Sequence, residues 1–401
     1  MEYSTLKPWQ DISETGIVYT LGSLYDRFQQ MTDPRKKKGK QYSLVTLLTL
    51  VFLGKLSGKD KPVEIADWGK NRAEELAELL GLKDCRMPHH NTIRRVFHTI
   101  ISEEEFEQLM QEYHQQGTEE DGEVLSIDGK ALRGTRIAGQ ERSDYALSIY
   151  DGQTQQVKAQ EVIDSKENEI TAAPRILKQV KLAGKIVTGD ALHTQRAISE
   201  QIIEAQGHYL WPVKDNQERL RQDIQQLFAP DQPKPGFGQI KTDFETAKQV
   251  SYGHGRIEVR IIQTSEMLNE YLDWPGVEQV YRLERRFFWI RRGEVYKTSN
   301  DIEYGLTSLS RKQAPAIKVL KVRRSHWSIE TGLHYRRDVT FREDATRMTI
   351  GAAGSILSIV NNLVLGLLKR AGFTNSAKGR RWFEGHLQEA FNLLISTNSL
   401  S

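Results

Sequence analysis

The sequence predicts a mixed α/β sheet carrying a β-rich insertion and preceded by an α-helical region. Three observations predict it: apolar residues at helical spacing up to about residue 115, short strands followed by alternating helices and strands from 119 to 229, and long alternating segments from 230 to 310. At 401 residues the chain exceeds one ordinary domain, so two or three modules are expected.

In the first region, 1–118, Leu44, Leu47, Leu48, Val51 and Phe52 recur at helical spacing, as do Leu76, Leu79 and Leu80 before Gly81. The segment MPHHNTIRRVFHTI then offers a helix start at Pro88 and Asn91 and a buried stripe of Ile93, Val96, Phe97 and Ile100. Arg94 and Arg95 fall on the opposite face. A short helix, a turn and a second helix with exposed arginines fit a helix-turn-helix, and equally a bundle with a basic face. An acidic stretch, Glu103 to Glu123, marks the boundary.

From 119 to 229 the strands VLSIDG, YALSIYD and QQVKAQEVI precede a helix (Glu169 to Val180), the strand KIVTGDA, a helix after Thr194 and the strand HYLWPVK. Three consecutive strands, then helix, strand, helix, strand, is the order of a sheet of the ribonuclease H type. The insertion, 230–310, contains RIEVRIIQ, VEQVYRLERRFFWI and EVYKTS, with Arg282, Arg285, Arg286, Arg291, Arg292 and Lys297. The last region, 311–401, returns to helix from Ala314 through about Asp338 and again from about Ile350 to Arg370.

The net charge of +3 excludes a uniformly basic DNA-coating protein, so any phosphate binding must come from local patches. Cys85 is the single cysteine, which fits a reducing cytoplasm. The N-terminal MEYSTLKPWQDISE has no signal-peptide pattern, and the longest apolar run, Leu44 to Leu53, is half of what spans a bilayer. A cytoplasmic protein without membrane contact is expected.

Asp128 in LSIDGK and Asp190 in IVTGDA each close an apolar strand. An acid in that register is costly unless compensated, and two of them at strand ends of one sheet suit a hard cation. In KVRRSHWSIETGLHYRRDV, taken as one helix, Arg323, His326, His334 and Arg337 lie within roughly 40° of Glu330 at about 100° per residue. A carboxylate flanked by cationic side chains suits a site for both metal and phosphate oxygens. A zinc site is disfavoured because HExxH is absent and no cysteines assist.

The segments LSIDGKALRG, VTGDALHTQ, YLWPVKDNQ, YGHGRIEVR and RSHWSIETGLHYRRDVTFREDATRM, with PHHNTIRRVF before them, resemble the ISAs-type insertion-sequence transposases, also called H-repeat-associated proteins, of the DDE superfamily. The resemblance runs along nearly the whole chain. It implies that Asp128, Asp190 and Glu330 are the catalytic metal ligands. Related cut-and-paste enzymes carry a Tyr-x2-Arg-x3-Glu-x6-Lys signature, and here Arg323, His326, Glu330 and Arg337 stand at those places.

The implied activity is DNA cleavage at the element's terminal inverted repeats and strand transfer into target DNA. The implied cofactor is two Mg²⁺ (or Mn²⁺) ions, which suit phosphodiester chemistry. His326 and Arg337 would stabilise charge beside Glu330, while Arg94, Arg95, Lys214, Asn216, Arg323 and Arg286 would meet DNA. Double-stranded DNA and a homodimer or higher oligomer on it are the expected partners. A metal-dependent nuclease that cuts without joining, and a DNA-binding regulator whose acids are structural, stay open as alternatives.

Overall fold

Side-chain caps decide where several helices begin. In the computed structural model, which describes residues 9–38, 40–115, 122–137, 139, 143–163, 167–229 and 242–397, Ser23 and Ser43 accept hydrogen bonds from the backbone of Asp26 and Thr46 and open the first two long helices. In chain order the elements begin with β1 (Gln10–Ile12), β2 (Val18–Thr20), α1 (Leu24–Gln30), α2 (Leu44–Leu56), α3 (Pro62–Asn71), α4 (Ala73–Leu79), α5 (His90–Arg95) and α6 (Glu103–Gln115). They continue with β3 (Val124–Leu132), β4 (Asp144–Asp151), β5 (Gln156–Ile163), α7 (Glu169–Leu177), β6 (Ile186–Thr188), α8 (Arg196–Glu204), β7 (His208–Val213) and α9 (Glu218–Leu227). Then come β8 (Glu245–Gly253), β9 (Arg256–Ser265), β10 (Gln279–Arg291), β11 (Glu294–Thr307), α10 (Ala316–Ser325), α11 (Trp327–Ile329), α12 (Ala353–Arg370), α13 (Ser376–Glu384) and α14 (Leu387–Ile395).

The chain divides into two compact units that cut across its linear order. One is made of residues 1–121, 129–166 and 330–401, the other of residues 122–128 and 167–329.

In the first unit α2 is apolar all round and accordingly buried, and α12 is buried along nearly its whole length. Lys55 of α2 is the exception in kind. Its ammonium is buried, 2.8 Å from Asp60, which also accepts from Arg380 at 2.7 Å. Strands β4 and β5 form an antiparallel hairpin.

In the second unit the strand order is β3-β6-β7-β11-β10-β9-β8. The first three strands are parallel, and the connections β6 to β7 and onward use α8 and α9. From β7 outward all pairings are antiparallel, through β11, β10, β9 and β8. The seam between the two halves depends on Gly305. A Cβ there would lie 2.3 Å from the Trp211 carbonyl and from the Tyr281 ring, so only glycine lets the strands approach. Ile186, Leu210, Ile262, Tyr281 and Leu283 make one apolar layer, against which Val319, Leu320 and Val322 of α10 pack.

The helix expected from Ala314 to Asp338 is not continuous. α10 ends at Ser325, and the chain then passes through α11 and two π-helical turns, Glu330–His334 and Arg336–Thr340. The Phe341 N–H bonds to the Arg336 carbonyl at 3.0 Å, five residues back. A π turn holds about 4.4 residues instead of 3.6, so a wheel drawn at 100° per residue misplaces side chains beyond Glu330. Among the described residues no helix is long and apolar enough to cross a membrane.

Candidate active site

Parallel pairing of β3 and β6 brings together the segments that carry Asp128 and Asp190. The register aligns Ser126 with Thr188, and the hydroxyls of these residues meet at 3.2 Å on one face. Asp128 lies two residues beyond Ser126 within β3, and Asp190 two residues beyond Thr188, just past the end of β6. His326, just after α10, lies over the same face with Nδ1 3.4 Å from the Thr188 hydroxyl. Its ring is buried. Burial, then the nearby Arg323, pulls its pKa down to about 4, against the opposing pull of Asp128 and Asp190.

Asp190 caps the short 3₁₀ turn Ala191–His193. Its Oδ1 accepts from the Leu192 N–H at 2.9 Å and contacts His193 Nδ1 at 3.0 Å. Burial alone would raise its pKa, but the hydrogen bond and charge of His193 and the two backbone donors hold it below the usual carboxylate range. The loop itself is pinned. Thr194 donates to the Pro212 carbonyl at 2.7 Å, Asn216 to Ala191 at 2.6 Å and Gln217 to Thr194 at 3.0 Å. Gly189 is required by crowding, since a Cβ there would sit 3.0 Å from Trp211 and 3.1 Å from the His193 Cβ.

Glu330 is exposed and begins the first π turn in the other unit. Among the described residues no three His, Cys, Asp or Glu side chains form a metal-holding group. In the second unit Asp128 and Asp190 both act electrostatically on His326, and carboxylate oxygens are donors that fit Mg²⁺ or Mn²⁺ better than a soft metal.

The cationic column read from the sequence is corrected by the structure. Arg337 is fully buried, with its guanidinium on both oxygens of Glu343 at 2.7–3.1 Å. The π turns rotate it into the core, where Glu343 also accepts from Asn361 at 2.7 Å. It presents no free charge to a phosphate. Arg323 is likewise engaged: it forms a two-point pair with Glu303 at 2.6 and 3.0 Å, whose charge holds it protonated against the opposing effect of burial.

Asn216 is a tether of the Asp190 loop, and Lys214 beside it is exposed. Arg286 is exposed but paired with Glu284 at 2.6 Å. Arg94 and Arg95 are exposed at the end of α5. Trp211 is a core residue whose ring nitrogen donates to Ser199 at 3.1 Å. Sequence reasoning missed Glu169 and Glu303, because ion pairs across distant segments leave no spacing signal.

Residues 119–362 match the family model "Transposase DDE domain" and residues 25–114 match "DDE_Tnp_1-associated", so the chain belongs to the DDE transposase family. Within it the relatives are those of H-repeat-associated insertion sequences. "Putative transposase YncI" of Escherichia coli O157:H7 is 30% identical over 87% of this chain and 88% of its own. "H repeat-associated putative transposase YhhI" of Escherichia coli strain K12 is 28% identical over 87% and 90%. A piggyBac transposase, solved as a synaptic complex with hairpin DNA, aligns with 92% of this chain and 77% of its own at 10% identity and a TM-score of 0.44.

Proposed function

We propose that this transposase binds the terminal inverted repeats of its insertion sequence, cleaves there, and transfers the cut strand into target DNA. The observation that supports the reading is the β3/β6 pairing, with Asp128 and Asp190 each two residues beyond the aligned Ser126 and Thr188, in a member of the DDE family. Asp128, Asp190 and Glu330 are the proposed ligands of two Mg²⁺ or Mn²⁺ ions. Such ions activate the attacking oxygen and stabilise the leaving one.

The protein's own residues supply placement. Asp190 is fixed by His193 and the Leu192 N–H, and the buried, neutral His326 closes the floor beside it. A ribonuclease H-like core with β8–β11 as its insertion is the fold this reading assigns, supported by the antiparallel hairpin β4–β5 followed by parallel strands behind helices. DNA is engaged by exposed cations, with Arg94 and Arg95 on the end-recognition module. The acting form is a homodimer or larger assembly on DNA in the cytoplasm.

The test is incubation with a duplex of the element's end and Mg²⁺, with products mapped on a denaturing gel. Specific nicks and strand-transfer products are expected from the native chain and none from Asp190→Asn. Equal cutting by that variant would sink the assignment. Replacing Arg94 and Arg95 by Ala should lower the salt dependence of end binding by about one unit of slope per lost phosphate contact.

A further inference from the structure

The His193 ring is fully buried, and both of its nitrogens face carboxylates. Nδ1 lies 3.0 Å from Asp190 Oδ1, and Nε2 lies 3.4 Å from Glu169 Oε2 at the start of α7. An ionised carboxylate can only accept, so the proton between His193 and Asp190 belongs to Nδ1. The His193 ring and the Leu192 N–H both bond the same oxygen, Oδ1, and the side chain stays about half exposed. Gly189 lies close against the His193 Cβ, and Glu169 Oε2 is within ion-pair distance of Nε2, which makes no hydrogen bond among the described residues, so Glu169 acts on the ring by charge.

We propose that His193 and Glu169 are positioning residues for Asp190, tying down Oδ1 so that Oδ2 is the oxygen presented to a divalent cation. The idea rests on the assignment of Asp190 as a metal ligand. It adds that the aspartate does not choose its ligating oxygen freely. A carboxylate free to rotate exchanges its two oxygens, while one anchored at Oδ1 offers a single donor in one direction. A histidine backed by an acid is an ordered donor for this purpose, and losing such an outer partner typically weakens metal binding about 10- to 100-fold.

The test uses the full-length protein without DNA and reads Mn²⁺ binding by electron paramagnetic resonance, alongside cleavage rates over a Mg²⁺ titration. His193→Ala should raise the Mn²⁺ dissociation constant about 10-fold or more, and saturating metal should recover most of the cleavage rate. His193→Asn keeps an N–H near the Nδ1 position and should restore most of the affinity. Glu169→Gln should cost a smaller factor in the native background and nothing in the His193→Asn background, where no Nε2 remains to hold.

Native Mn²⁺ affinity in folded His193→Ala, or an equal effect of Glu169→Gln in both backgrounds, would overturn the proposal. If His193→Ala fails to fold, the Glu169→Gln comparison decides alone. Asp190→Asn separates the two levels: binding that survives this change removes the site itself, whereas binding lost there but untouched by the His193 and Glu169 changes removes only the positioning.

Discussion

Asp190 and Glu343 are both carboxylates gripped by a nitrogen base, yet the two grips are built for different ends. Asp190 takes the His193 ring and the Leu192 N–H on one oxygen and stays about half exposed just past β6 in the second unit. Glu343 spends both oxygens on Arg337 and Asn361 and is sealed in the core of the first unit. A buried pair satisfied on every side holds a fold together but has nothing left to offer a ligand. A carboxylate fixed at one oxygen keeps a donor in reserve.

The largest expected effect follows from the open grip. Asp190→Asn should reduce cleavage at least about 10³-fold, roughly 4 kcal/mol in the barrier, with a melting temperature close to that of the native chain. Gel-based rates and calorimetry together would expose the opposite pattern, a stability loss with activity kept, which would make Asp190 structural.

The sealed grip should behave the other way round. Arg337→Ala leaves Glu343 buried without its partner and should cost about 3–5 kcal/mol of stability. Changing both to Met should recover much of that loss, because the buried charges leave together. Chemical denaturation of the three variants would measure this. A folded Arg337→Ala protein with native stability but slowed cleavage would return Arg337 to the site.

Glu107 extends the comparison to a carboxylate with no base at its side. Burial, with Glu103, Glu161 and Glu104 nearby, pushes its pKa up to about 8 from an ordinary value of 4.5. Between those values the unfolded chain has released a proton that the folded chain keeps, so stability falls as pH rises from about 4.5 to 8. Glu107→Gln should flatten that slope and raise stability near pH 8 by roughly 1–3 kcal/mol. An unchanged pH–stability curve would show that Glu107 ionises normally.

Much of this was legible from residues alone. Alternation and turn spacing located β3 to β7, and the long alternating segments located strands among β8 to β11, because burial on one face of a strand writes a period of two into the sequence. Asp128 and Asp190 stood out as acids closing apolar segments, and the β3/β6 pairing brings those segments together. The surroundings of Glu330 were misread, because an ideal wheel assumes one turn geometry and the chain there uses another. Arg337 was expected beside Glu330 as a site cation, since Glu343, six residues on, gives no sign in spacing that it folds back to meet it.

Those wide turns have a consequence for how this stretch tolerates changes of length. Each π turn, at 330–334 and 336–340, carries about one residue more than an α turn of similar reach. It is slack in the chain. A one-residue deletion there can be absorbed by tightening a wide turn to α geometry. The same deletion inside α12, which has no such reserve over its 18 residues, swings everything after it by about 100°. Length differences among related chains should therefore collect beside Glu330 and be purged from the helix that follows.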